Sequence, residues 1–235
     1  MILYYITDRK QFPGIHTEQL HALLSRITAA AKAGVDYIQL REKDLSAREL
    51  ESLARQALQG VRDHGANTRL LINSRVDVAL AVGADGVHLT STDISAADAR
   101  SIWAASVAQT RPSTPVPWKV AVSCHSPADV RLAESHGADF VVLAPIFEKA
   151  RTTVPPLGLA ALRQATRVGE PLDRRVEAGD QRSTIPVLAL GGITIENAAE
   201  CMRVGAAGIA GIRIFQEGDI TETAGALREW SSRPL

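Results

Sequence analysis

The sequence predicts an α/β chain wound into one (β/α)8 TIM barrel. Three observations carry that expectation: a glycine-led phrase that recurs before apolar runs, eight such runs, and helical spacing between them. The phrase reads Ala33-Gly34-Val35-Asp36-Tyr37-Ile38-Gln39-Leu40, then Gly83-Ala84-Asp85-Gly86-Val87-His88-Leu89, Gly137-Ala138-Asp139-Phe140-Val141-Val142-Leu143 and Gly205-Ala206-Ala207-Gly208-Ile209-Ala210-Gly211-Ile212. In each copy a glycine can end a helix in the left-handed conformation, and the run behind it enters a strand buried on both faces. The copies stand about fifty residues or more apart, the length of two β/α units.

The remaining strands fall between the copies, at Ile2 to Ile6, Arg69 to Ile72, Lys119 to Val122 and Pro186 to Leu190. Apolar residues spaced by three and four predict helices over His21 to Ala33, Ala47 to Val61, Ala96 to Ala105, Pro127 to Ser135, Gly158 to Ala165 and Ile195 to Val204. Eight alternating units favour a closed barrel over an open doubly wound sheet, in one domain over residues 1–235. Gln109 to Pro117, rich in proline, serine and threonine, and Arg167 to Thr184, rich in charge, read as solvated loop insertions.

Composition narrows the partners. Hydrophobic residues make up 46% of the chain and charged residues 22%, while 26 basic and 26 acidic side chains give a formal net charge of zero. That balance argues against a general nucleic-acid or anionic-membrane binder. The two cysteines, Cys124 and Cys201, lack the spacing of a disulfide framework or a structural zinc site and fit a reducing cytoplasm. Met1 to Ile6 is stopped by Thr7-Asp8-Arg9, too short for a signal-peptide core or a membrane span, so a cytoplasmic protein is expected.

In such a barrel the ligand site lies at the C-terminal ends of the strands. Strand two runs into Gln39-Leu40-Arg41-Glu42-Lys43, where alternation sends Gln39, Arg41 and Lys43 inward, three polar heads that imply an anion. Strand three closes with Asn73-Ser74-Arg75. Strand four leads to Asp93, which reads equally as a magnesium ligand or as the cap of the next helix. His88 is expected to pack or make a structural hydrogen bond near the strand end rather than act as a base. Ser123 is a hydrogen-bond donor to phosphate, and a Cys124-His125 nucleophile pair is disfavoured because neighbours on a strand face opposite ways. Gly191-Gly192 after strand seven and Gly211-Ile212-Arg213 after strand eight suit a phosphate held by backbone amides, with Arg213 adding a contact.

Taken in order, Tyr5-Ile6-Thr7-Asp8, Gln39-Leu40-Arg41-Glu42-Lys43, Asn73-Ser74-Arg75-Val76-Asp77, Gly83 to Leu89, Val122-Ser123-Cys124-His125, Gly137 to Phe140, Pro145-Ile146-Phe147 and Leu190-Gly191-Gly192-Ile193-Thr194 resemble the motifs of the thiamine-phosphate synthase and TenI family. The resemblance spans nearly the whole chain. It implies a TIM barrel in thiamine biosynthesis that joins hydroxymethylpyrimidine diphosphate to thiazole phosphate and releases pyrophosphate. Gln39, Arg41, Lys43 and Asn73 match the pyrimidine diphosphate site, Asp93 a Mg2+ ligand, Ser123 a hydroxyl beside the diphosphate, and Gly192 the thiazole-phosphate site. The resemblance also suggests a homo-oligomer that takes small phosphorylated substrates.

Three departures stand out. Ser74 replaces an expected aspartate; Glu148-Lys149-Ala150-Arg151-Thr152-Thr153 replaces a Thr-x-Thr-Lys phosphate loop, with Lys149 and Arg151 as substitute cations; and Arg213 replaces a small residue, either adding a phosphate contact or partly filling the pocket. A TenI-type thiazole tautomerase needs neither that loop nor magnesium, yet that branch carries a histidine where this chain has Pro145. A non-catalytic thiazole-phosphate binder is the third reading.

Overall fold

The computed structural model describes residues 1–65, 67–110, 117–148, 154–166 and 184–232. Its strands are β1 (Ile2–Ile6), β2 (Tyr37–Leu40), β3 (Arg69–Asn73), β4 (Gly86–Leu89), β5 (Lys119–Cys124), β6 (Phe140–Leu143), β7 (Val187–Ala189) and β8 (Gly208–Gly211). They form a closed barrel in sequence order, and β8 returns to β1 in parallel with Tyr4 opposite Ala210. Helices α1 (His16–Lys32), α2 (Ala47–His64), α3 (Val76–Val82), α4 (Ala96–Thr110), α5 (Pro127–Ser135), α6 (Gly158–Ala165) and α7 (Ile195–Arg203) follow successive strands, and α8 (Arg213–Gln216) and α9 (Ile220–Ser232) follow β8.

Alternation along the strands divides the apolar residues into two layers. Tyr4, Ile6, Leu71, Ala121, Phe140, Val142, Leu188 and Ala210 pack inside the barrel. Their neighbours, among them Leu3, Tyr5, Ile38, Leu70, Val120, Val141 and Ile209, join the helices in the outer core. Both strand faces are buried, which is why the runs read as nearly continuous apolar segments.

The recurring phrase works as expected and does more. Gly34, Gly83, Gly137 and Gly205 all have positive φ, at 75°, 69°, 79° and 98°, and so release the chain from helix to strand. The aspartate two residues later is a clip between strands. Asp36 accepts the Leu3 N–H at 2.7 Å, Asp85 that of Leu70 at 2.8 Å, and Asp139 that of Val120 at 2.7 Å. Arg228, Arg62 and Arg100 pair with these three carboxylates in turn. The fourth copy has Ala207 in that place.

Boundaries shift for local reasons. β7 leaves out Pro186, which has no N–H to give a ladder. β5 runs on to Cys124, and α1 starts at His16, where Glu18 reaches back to the Ile15 N–H at 2.9 Å. Ser46 and Glu49 cap α2 reciprocally, and Ser126 with Pro127 opens α5. Most of the two expected loop insertions lies outside the described residues.

Candidate active site

Inward polar residues at the strand ends meet in one hydrogen-bonded line. Gln39, 2% exposed, donates from Nε2 to Asn73 Oδ1 at 2.8 Å. Asn73 Nδ2 donates to Ser74 Oγ at 3.0 Å, and Ser74 donates in turn to Asp93 Oδ2 at 2.7 Å. The Thr90 N–H and hydroxyl reach the same oxygen at 2.6 and 2.9 Å, whereas Asp93 Oδ1 has no hydrogen bond among the described residues. Lys43, Asn73, Ser74 and Asp93 line a cavity of about 310 Å3 beside them.

The capping alternative for Asp93 fails, because Ser95 Oγ accepts the Asp98 N–H at 3.1 Å at the start of α4. No group of three His, Cys, Asp or Glu side chains among the described residues can enclose a metal. One carboxylate with a free oxygen beside a hydroxyl still fits a magnesium ion whose other ligands are phosphate oxygens and water.

β2 stops at Leu40, so Arg41 and Lys43 sit on the following loop and not on the strand. Buried polar side chains fix that loop. Thr7 Oγ1 accepts the Arg41 N–H at 2.9 Å and donates to Glu42 Oε1 at 2.7 Å. Glu42, 5% exposed, accepts Arg9 Nη1 at 2.8 Å, and the same guanidinium grips Asp44 through two bonds at 2.7 and 2.8 Å. That guanidinium holds the Asp44 carboxyl well below the usual carboxylate range.

His88 lies inside the barrel with Nδ1 2.9 Å from Tyr4 Oη and Nε2 2.7 Å from Ser123 Oγ. Burial pushes its pKa down to about 3; the Arg41 charge adds to that shift and the Asp93 charge opposes it. Burial therefore favours the neutral ring, and its two hydrogen bonds are the structural role expected of His88. Burial also pushes the Cys124 thiol up to about 12, and His125 Nδ1 lies 3.0 Å from the Ala144 carbonyl, so this pair has no thiolate to offer.

On the far side of the mouth, Gly191 and Gly192 have φ of 98° and 66°. A Cβ on Gly192 would stand 2.4 Å from the Glu148 carbonyl oxygen, so contact with the loop after β6 itself demands glycine there. Ile212 packs half-buried against the inner core, and Arg213 begins α8 as an exposed residue. Lys149 and Arg151 lie outside the described residues.

The structure thus joins Gln39, Asn73, Lys43 and Asp93 on one side of the mouth and Ser123 to His88 across it. Sequence reasoning passed over Tyr4, Thr7, Arg9 and Glu42. The signal for Tyr4 was its inward parity in β1, whereas Glu42 lies beyond the end of β2, where parity assigns no face.

The sequence model of the family described as thiamine monophosphate synthase matches residues 3–215. A thiamine-phosphate synthase of Methanoculleus marisnigri is 35% identical over 230 residues, which cover 97% of this chain and 93% of the relative. One from Chloroflexus aurantiacus is 35% identical over 233 residues, with 96% and 90% covered. The solved structure of a thiamine phosphate pyrophosphorylase from Pyrococcus furiosus matches with a TM-score of 0.73 at 28% identity, over 97% of this chain and 94% of that one. No helix among the described residues is long and apolar enough to cross a membrane. With barrel, strand-end motifs and near full-length relatives in agreement, the chain belongs to the thiamine monophosphate synthase family.

Proposed function

We propose that this chain joins hydroxymethylpyrimidine diphosphate to thiazole phosphate, forming thiamine phosphate and releasing pyrophosphate. The line from Gln39 through Asn73 and Ser74 to Asp93 carries the reading. At one end Gln39 Oε1 is a buried acceptor without a partner among the described residues, which suits an amino group on a heterocycle. At the other end Asp93 and Lys43 border the same cavity, which suits a diphosphate with its counter-ion. A single small phosphorylated substrate bearing an aminopyrimidine and a diphosphate answers both ends.

In the reaction the C–O bond between the pyrimidine methylene and the diphosphate breaks, and its electron pair leaves with pyrophosphate. The thiazole nitrogen lone pair forms the new C–N bond. Arg41 and Lys43 stabilise the charge gathering on the leaving group, and the Ser123 hydroxyl donates to a diphosphate oxygen. Asp93 would hold Mg2+, which when bound neutralises diphosphate charge. Backbone amides at Gly191, Gly192 and Ile212, with Arg213 at the start of α8, receive the thiazole phosphate, and Lys149 and Arg151 supply cations from the altered loop.

Pro145 has no exchangeable proton to transfer, which counts against the tautomerase reading. The purified protein, incubated with both substrates and magnesium, is expected to yield thiamine phosphate by chromatography at a catalytic rate against a heat-killed control. Absence of product from folded protein that binds both substrates would overturn the synthase assignment.

A further inference from the structure

Tyr4, His88 and Ser123 form a hydrogen-bonded line across the inside of the barrel from β1 through β4 to β5. A neutral imidazole allows two proton arrangements along it. In one, His88 Nδ1–H donates to Tyr4 and Nε2 accepts the Ser123 proton. In the other, Tyr4 donates to Nδ1 and Nε2–H donates to Ser123. The two deliver opposite faces of the serine hydroxyl to the mouth of the barrel.

Burial decides between them. Tyr4 is fully buried, with its ring edge-on to Tyr37 and Phe140, and its hydroxyl has no other hydrogen-bond partner among the described residues. The first arrangement leaves the phenolic proton without an acceptor in an apolar interior and spends the Ser123 proton on His88. The second satisfies the phenol and both ring nitrogens. It also fills an acceptor position on Ser123 Oγ and frees the serine proton for a group in the mouth. The imidazolium form would give Nδ1 a proton as well, and burial with the nearby Arg41 charge opposes it.

We propose that Tyr4 is a positioning residue: by donating to Nδ1 it holds His88 in the Nε2–H tautomer and so makes Ser123 a fixed hydrogen-bond donor to the diphosphate. The functional half rests on Ser123 contacting that group. Phosphate oxygens only accept hydrogen bonds, so a serine whose proton was committed to His88 would turn lone pairs toward an anion. Tyr4, 84 residues away from His88 in sequence, thereby sets the polarity of a contact it does not touch.

Two readouts test this. In protein labelled with 15N-histidine, the His88 signals are identified by their loss in His88→Gln. They are expected to show a protonated Nε2 and a bare, hydrogen-bonded Nδ1 in the wild type, and loss of the hydrogen-bond shift at Nδ1 in Tyr4→Phe. A protonated Nδ1 in the wild type, or an unchanged Nδ1 shift in Tyr4→Phe, would overturn the proposal. Calorimetry with inorganic pyrophosphate and magnesium supplies the second readout. Ser123→Ala is expected to weaken binding roughly tenfold, Tyr4→Phe by a smaller factor, and the double variant no more than Ser123→Ala alone. Additive losses would overturn the coupling. Unchanged pyrophosphate affinity in Ser123→Ala would instead overturn the diphosphate contact, and the tautomer spectrum separates that failure from failure of the Tyr4–His88 link.

Discussion

Arg9 and Glu42 form an ion pair at 2.8 Å with side chains only 4% and 2% exposed, just behind the loop that carries Arg41 and Lys43. Glu42 also receives the Thr7 hydroxyl and the Arg9 backbone N–H, so its charge is compensated from one side of the loop. Arg9→Met removes the only buried cation of this group. Glu42 would then be a buried carboxylate without its cation, and the expected loss is about 3–5 kcal/mol of unfolding free energy. Urea denaturation at constant m-value measures it, and a loss below about 1 kcal/mol, the range of an exposed pair, would contradict the role.

Ser74 sits at φ 60°, a left-handed backbone that aspartate tolerates, and it spends its hydroxyl proton on Asp93. Ser74→Asp replaces that donor with a second carboxylate facing Asp93. The two charges repel until a divalent cation joins them. The variant is therefore expected to melt lower than wild type without magnesium and to gain more from it, because ligand that binds the folded state alone raises its stability. Equal magnesium dependence of Tm in the two proteins would show that Asp93 and residue 74 do not share an ion.

What could be read from the sequence was what depends on local parity. Gln39, Asn73 and Ser123 were legible because alternation within one short strand fixes the face of each, and Gly34, Gly83 and Gly137 because helix exit needs a left-handed residue. The repeated aspartates were visible as a pattern, but their function was not, since Asp36 bonding Leu3 requires knowing that β1 and β2 are neighbours. Arg9 with Glu42, 33 residues apart, and Tyr4 with His88 are contacts of the same kind. Helix α3 is two turns long and starts directly after the β3 loop, too short for its periodicity to stand out.

Arg41→Ala and Lys43→Ala test the leaving-group role. Both cations are asked to meet charge that grows as the diphosphate departs, and neither is assigned to thiazole phosphate. Each variant is expected to lower kcat by about 10²-fold, in the manner of a lost transition-state donor, with little change in KM for thiazole phosphate. A rise in that KM at constant kcat would reassign the residue to ground-state binding.

His88 makes stability depend on acid in a defined window. In the folded chain its pKa is about 3, against 6.5 for a free imidazole, because burial disfavours the charged ring. Between those values the unfolded chain holds a proton that the folded chain refuses, so stability falls as pH drops below about 6.5 and the loss is complete near pH 3. Each pH step well inside the window costs about 1.4 kcal/mol from this group alone. Carboxylates and the other histidines titrate in the same range, but they do so in His88→Gln as well. The difference in unfolding free energy between wild type and variant, followed from pH 7 to pH 4.5, isolates the term. Wild type is expected to lose stability faster than the variant as the solution is acidified. Parallel curves would mean that His88 takes up a proton in the folded barrel as readily as in water, and the neutral line from Tyr4 to Ser123 would not survive that result.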